Sequence, residues 1–151
     1  MTRPLAALAP GLLLAAAAPG PARGQDAPRP AAPKPAPLAV KTETNVVYDT
    51  IDRQDLLLDV CAPTEGGPYP CVVLFHGGAW VMGSRKDLSV GPKGGTSLME
   101  DVAARGYVVA SVGYRLAPKH PFPAQIQDAR AAVRFLRAKA KAYRIDPDRF
   151  A

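Results

Sequence analysis

The chain has 151 residues, 19 Lys and Arg against 13 Asp and Glu for a formal charge of +6, and 48% hydrophobic composition. That length leaves room for one ordinary domain, and a mild basic excess with no aromatic residues alternating through it fits a solvated surface rather than a nucleic-acid groove. The 2 Cys and 2 His match no metal-ligand spacing, so no metal site is expected.

Residues 1–24 open with Arg3, continue through the Leu/Ala-rich run Leu5–Ala18 and end on small residues at Ala22 and Gly24. This is the pattern of a signal peptide cleaved after Gly24, and it implies an exported, periplasmic or secreted protein. A membrane anchor is the competing reading. Pro10, Gly11, Pro19 and Gly20 interrupt the apolar run, leaving it short of the roughly 20 residues that a span requires, so no stable span is expected once the signal is removed. Residues 25–38 are a Pro/Ala-rich tract expected to be a disordered linker, and the globular part should occupy residues 39–151. Loss of Arg3 and Arg23 reduces 19 basic residues to 17 against 13 acidic ones, a charge of +4. Cys61 and Cys71 would permit one disulfide after export. A further strand lying between theirs would separate the two by about 9–10 Å against a bridging limit of about 7 Å, so both are expected to be small buried apolar residues.

Within the globular part, Asn45–Tyr48 and Leu56–Cys61 read as two strands of an antiparallel hairpin, joined by the polar turn Asp49–Asp55. Ala62–Pro70 is broken by Pro and Gly and reads as a loop. Cys71–Phe75 is a short unbroken apolar run, as expected of a parallel strand covered on both faces. Val81–Gly95 has no periodicity and reads as a mobile surface loop. Ser97 followed by Glu100 forms a capping-box sequence that opens a short helix closed by Gly106. Tyr107–Val112 is a second continuous apolar strand, so strand, helix and strand form a parallel crossover. After the Pro-rich loop Gly113–Pro123, apolar residues at Ile126, Ala129, Val133, Leu136, Ala140 and Tyr143 mark the expected buried stripe of a long helix. Ile145–Arg149 ends that helix, and Phe150-Ala151 reads as the start of another strand.

The stretch with chemical potential is His76-Gly77-Gly78-Ala79-Trp80, directly after the first buried strand. Paired glycines there let backbone N–H groups approach a ligand at the strand's carboxyl end, where open α/β sheets bind their ligands. Trp80 would supply an apolar wall. The alternative is a plain tight turn with Trp80 in the core. Gly78-x-x-x-x-Gly83-Ser84-Arg85 approaches a phosphate-binding loop but lacks its Lys, and no dinucleotide fingerprint occurs, so no cofactor is expected.

In sequence order, His76-Gly77-Gly78-Ala79-Trp80, Gly113-Tyr114-Arg115-Leu116-Ala117-Pro118, His120-Pro121-Phe122-Pro123-Ala124 with Asp128, and Asp146-Pro147-Asp148-Arg149 together resemble the α/β-hydrolase superfamily. The similarity is to HGGxW-type carboxylesterases, the group of hormone-sensitive-lipase-like and bacterial feruloyl and acetyl-xylan esterases, and it covers about Asn45–Ala151. It implies the N-terminal part of an α/β-hydrolase sheet: an antiparallel hairpin, then parallel strands with crossover helices. It further implies that the Gly78 and Ala79 N–H groups are half of an oxyanion hole, with Gly77 making the turn and Trp80 meeting the substrate. Many relatives carry a third glycine where this chain has Ala79, a replacement that suits the oxyanion role on the condition that Ala79 keeps φ below zero. His76, Tyr114, Arg115, His120 and Asp128 become residues that fix loops. The nucleophile, acid and base would lie beyond Ala151, since Ser84, Ser89, Ser97 and Ser111 lack the G-x-S-x-G context. The strand Cys71–Phe75 would be left as a bare edge beside a missing neighbour.

The implied activity is hydrolysis of small-molecule or polysaccharide-linked carboxylic esters by the complete protein, the present segment alone being inactive. A non-catalytic binding protein, or a formamidase or peptidase on the same fold, is the alternative.

Overall fold

The computed structural model describes residues 36–91 and 95–151. The proposed signal peptide and most of the 25–38 linker therefore lie outside the described residues. A five-stranded sheet in the order β1-β2-β4-β3-β5 forms the frame. Its hairpin comprises β1 (Val40–Ile51) and β2 (Gln54–Pro63). Both strands are longer than the hydrophobic pattern suggested, because the reversal needs only Asp52 and Arg53, at φ 51° and 64°. Two successive residues in the left-handed region are what two-residue hairpin turns with the strands' own twist require. The expected Asp49–Asp55 turn is thus mostly strand.

Next come β3 (Tyr69–Phe75) and β4 (Val108–Val112), which pair in parallel with Cys71 opposite Val108 and Phe75 opposite Val112. β4 also pairs antiparallel with β2. Every residue of β4 is buried, as its unbroken apolar sequence requires of a strand covered on both faces. On one face Leu56, Leu58, Val60, Cys71, Val108, Ala110 and Val112 pack with Ala131, Ala132 and Leu136. On the other, Cys61 and Val109 pack against Met99 and Ala103. With β4 between their strands, Cys61 and Cys71 remain free, buried thiols.

Between β3 and β4 lie α1 (Lys86–Ser89) and α2 (Leu98–Ala103). α2 starts on the full capping box: the Ser97 hydroxyl accepts from the Glu100 N–H at 3.2 Å, and the Glu100 carboxylate accepts from the Ser97 N–H at 2.8 Å.

Within the segment expected as a mobile loop, Arg85 and Ser89 are instead tied to the sheet. Asp59, a lone carboxylate in the apolar run of β2, is 2% exposed. It accepts from the Asn45 N–H at 2.9 Å, Arg85 Nε at 3.1 Å and the Ser89 hydroxyl at 2.7 Å. Ser111 on β4 donates to the Arg85 carbonyl at 2.8 Å, and Arg85 also bonds the Asn45 side chain. Burial pushes the Asp59 carboxyl upward, but the bonds from Asn45, Ser89 and Arg85 outweigh it and hold the group below its ordinary 3.8. A depressed folded-state pKa gives stability that is complete above the unfolded value and disappears as pH falls through the folded one. Urea midpoints measured downward from pH 6 should therefore fall most steeply below pH 3.8, and Asp59→Asn should flatten that fall.

The helical region is α3 (Ala124–Ala138) followed, after a break at Lys139, by the short α4 (Ala140–Tyr143). Its buried face keeps Leu136 of the expected stripe, with Ala140 and Tyr143 packed against the core, and corrects the part that precedes it. Ala124, Gln125, Asp128, Ala131, Ala132 and Leu136 turn inward, while Ile126 is exposed and lines, with Ala129 and Val133, a groove beside Phe75. The helix is rotated because Asp128 is drawn into the interior by an ion pair, and small residues at 124, 131 and 132 let the backbone approach the sheet.

Arg144, at φ 57°, ends α4, and β5 (Ile145–Phe150) begins at once. The strand thus starts five residues earlier than the sequence suggested. Asp146-Pro147-Asp148-Arg149 forms an irregularity within it, held by Arg149 Nε on Asp146 at 2.6 Å and the Asp148 N–H on Asp146 at 3.1 Å. β5 runs parallel to β3, and Ala151 extends the pairing through its N–H to the Cys71 carbonyl and its carbonyl to the Val73 N–H. The expected bare edge is thus covered along Tyr69–Val73.

Candidate active site

The parallel strand β3 ends at Phe75, and the next five residues change direction abruptly. Gly78, Ala79 and Trp80 have φ values of 113°, 51° and 66°, three consecutive residues in left-handed or glycine-only space. The demand for glycine falls on Gly78 rather than Gly77. A Cβ on Gly78 would lie 2.2 Å from the Met82 carbonyl oxygen, whereas one on Gly77 would meet nothing within 4 Å. Ala79, at φ 51°, does not meet the condition of a negative φ on which its replacement of glycine rested. A non-glycine residue held there costs roughly 1–3 kcal/mol, which the surroundings must offset.

Those surroundings are well defined. The Gly78 carbonyl accepts from Val81 and Met82 N–H at 3.0 and 3.1 Å, closing the turn. The Trp80 carbonyl accepts from the Ala117 N–H at 2.9 Å, tying the turn to the loop after β4. His76 is buried and stacked on Tyr114 with ring centres 4.3 Å apart. The Tyr114 hydroxyl donates to the His76 carbonyl at 2.7 Å, and the Tyr114 ring also meets Trp80 at 5.2 Å. His76 Nδ1 lies 2.9 Å from the Gly77 carbonyl, placed to donate to it. Gly83 packs so closely that a Cβ there would lie 2.5 Å from both the Gly77 carbonyl and His76 Nδ1. His76 and Tyr114 are thus a stacked support beneath the turn, in keeping with a loop-fixing role.

The backbone N–H groups of Gly78 and Ala79 donate to no group among the described residues. Two adjacent unpaired amides at the carboxyl end of a strand flanked on both sides can receive an oxygen that carries negative charge. Beside them opens a cleft of about 360 Å³ lined by Ala79, Trp80, Ala117, Phe122, Gln125 and Ile126. Trp80, at 51% exposure, lies in its wall rather than in the core.

The loop opposite is fixed by Arg115 and Asp128. The fully buried Asp128 carboxylate accepts from Arg115 Nε at 3.0 Å, Arg115 Nη2 at 2.8 Å and the Arg115 N–H at 2.9 Å. These bonds push the Arg115 guanidinium pKa further up. Gln125 Nε2 adds bonds to the Arg115 and His120 carbonyls at 3.0 and 2.7 Å. His120 thus takes part through its carbonyl. Its Nε2 is buried without a partner among the described residues.

Sequence reasoning missed Gln125 and the Asp59–Arg85 anchor. The signal for the latter was available, since a carboxylate within Leu-Leu-Leu-Asp-Val-Cys is costly to bury unless paired. Among the described residues no group of three or more His, Cys, Asp or Glu is placed to hold a metal ion.

Comparison with known proteins places this geometry in context. The family model BD-FAE matches residues 58–151, more than half of the chain. Esterase LipI of Mycobacterium tuberculosis is 51% identical over 67 residues, covering 44% of this chain and 19% of LipI. Carboxylesterase NlhH of the same organism is 40% identical over 95 residues, covering 59% of this chain and 26% of NlhH. Among solved structures, esterase B from Lactobacillus rhamnosis superimposes with a TM-score of 0.63 at 29% identity, covering 78% of this chain and 36% of that one. The chain spans about a fifth to a quarter of the length of the curated relatives it matches.

Proposed function

The chain belongs to the BD-FAE family, and from that premise we propose that it is the N-terminal part of an exported serine hydrolase that cleaves carboxylic esters through an acyl-enzyme. In this reading the Gly78 and Ala79 amides form half of the oxyanion hole, and Trp80 meets the substrate beside them. The observation that carries it is the pair of donors without a partner at the end of β3, with Ala79 also lining the adjacent apolar cleft. As a nucleophile attacks the ester carbonyl, the oxygen gains charge, and donors already fixed in place stabilise it without reorganising. The turn is fixed by the His76–Tyr114 stack and by the bond between Ala117 and Trp80. His76 takes no part in proton transfer, being stacked and directed at the Gly77 carbonyl.

No serine among the 151 residues lies in G-x-S-x-G, so this reading assigns the nucleophile, acid and base to sequence outside them. Export rests on the residues 1–24 pattern, and the ester donor is a small molecule or a polysaccharide-linked ester. The purified 151-residue chain should hydrolyse p-nitrophenyl acetate no faster than buffer. A polypeptide that continues through a G-x-S-x-G elbow and the rest of the domain should show turnover blocked by a serine-directed inhibitor. Inhibitor-sensitive turnover by the short chain, or none by the longer one, would overturn the reading.

A further inference from the structure

Two polar side chains interrupt the apolar runs of the inner strands. Asp59 in β2 and Ser111 in β4 are 2% and 0% exposed, and the antiparallel register sets them opposite each other. Together they hold one residue by its two ends. The Asp59 carboxylate accepts from Arg85 Nε at 3.1 Å, while the Ser111 hydroxyl donates to the Arg85 carbonyl at 2.8 Å. Apolar residues of similar volume at both positions would serve burial equally well, because the cost of desolvating an ion pair offsets much of its attraction. What the polar pair adds is direction: a charge-assisted bond at the side chain and a second bond at the backbone leave Arg85 one place to sit.

That place is where two routes to the turn after β3 meet. Along the chain, Arg85 follows Gly83 and Ser84, and Gly83 lies so close to the Gly77 carbonyl and the His76 ring that a Cβ has no room. The Ser84 N–H is held by the Asp87 carboxylate at 2.9 Å, so the link from Arg85 back to Gly83 has little freedom. Across space, Arg85 Cδ and Cβ would lie 3.7 and 3.9 Å from a Cβ on Gly113. Gly113 leads directly into Tyr114, whose ring stacks on His76 and meets Trp80. A displaced Arg85 would therefore free the turn from its far end and from the ring beneath it.

We propose that Asp59 and Ser111 are positioning residues for the Gly78 and Ala79 amides, acting through Arg85. Neither lines the cleft beside Ala79, so any effect on the rate is transmitted rather than direct. The catalytic consequence rests on the esterase reading above, whereas the coupling between Arg85 and the turn stands without it.

Trp80 is the only tryptophan in the chain and lies in the turn, so its emission reports on the turn's setting. In the 151-residue chain, Asp59→Asn and Ser111→Ala should each shift the Trp80 emission maximum and increase its quenching by acrylamide. Val108→Ala, in the core at the other end of β4, should lower the urea midpoint and leave the emission unmoved. In a polypeptide that completes the domain, both anchor variants should lower kcat about tenfold with KM nearly unchanged, the signature of a misplaced catalytic group. Ser111→Ala strands no charge, so it tests the coupling even if Asp59→Asn does not fold. Emission unaltered by Ser111→Ala, or altered equally by Val108→Ala, would overturn the coupling. Ester hydrolysis with kcat indifferent to Ser111 would overturn the positioning role alone. Altered emission in the short chain, alongside a longer polypeptide that hydrolyses no ester, would overturn the enzymatic reading and leave the coupling standing.

Discussion

Replacing Asp128 with Ala is expected to lower the stability of the chain by about 3–5 kcal/mol, the cost of leaving a buried charge without its partner. Asp128 is fully buried and Arg115 is 9% exposed, so removing the carboxylate strands the guanidinium in a poorly hydrated site. The Arg115 backbone N–H loses its acceptor at the same time. The contrast is with Arg149 and Asp146, a shorter contact at 2.6 Å whose arginine is 56% exposed. Solvent screens that pair, and its loss should cost far less. Urea denaturation of the two variants side by side checks the difference, and equal losses would show that burial of the Arg115–Asp128 pair is not what gives it weight. The same substitution should loosen the Gly113–Pro123 loop that braces Trp80 and carries Phe122.

The second large effect is catalytic. In a polypeptide that completes the domain, Gly78→Ala should reduce kcat by about 10²–10³ with KM changed much less, the loss seen when one oxyanion donor is removed. The added Cβ would lie 2.2 Å from the Met82 carbonyl oxygen, and φ of 113° is hostile to any side chain. The turn must therefore open, which carries the Gly78 and Ala79 amides out of place. Gly77→Ala is the matched control, because a Cβ there meets nothing within 4 Å. A kcat loss shared equally by both variants would mean that local disturbance, rather than donor placement, governs the rate.

Much of this architecture is legible in the sequence because its signals are local. The unbroken apolar runs of β3 and β4, the Ser97–Glu100 capping box and the Pro-rich loop before α3 each act through neighbouring residues. What escaped depends on partners distant in sequence. The rotation of α3 follows from Asp128 pairing with Arg115, 13 residues away, and Asp59 is satisfied by groups 14 to 30 residues away. A hydrophobic pattern counts both carboxylates as solvent-facing, so it assigns Ile126 to the core and gives Arg85 and Ser89 no anchor. β5 was shortened for a related reason: Pro147 and three charged residues mask a strand whose pairing is set by β3. At the turn the glycines were legible, but the positive φ of Ala79 and Trp80 was not, since the packing of His76, Tyr114 and Ala117 imposes it on residues with no preference for it.

The claim on which the rest depends is that two neighbouring amides meet the oxygen that becomes anionic. The measurement that reaches it most directly is a crystal structure of the completed domain carrying a phosphonate on its nucleophilic serine. The account predicts the phosphonyl oxygen within about 2.7–3.1 Å of both the Gly78 and Ala79 nitrogens. A phosphonyl oxygen held by other donors, with both amides turned away, would contradict it.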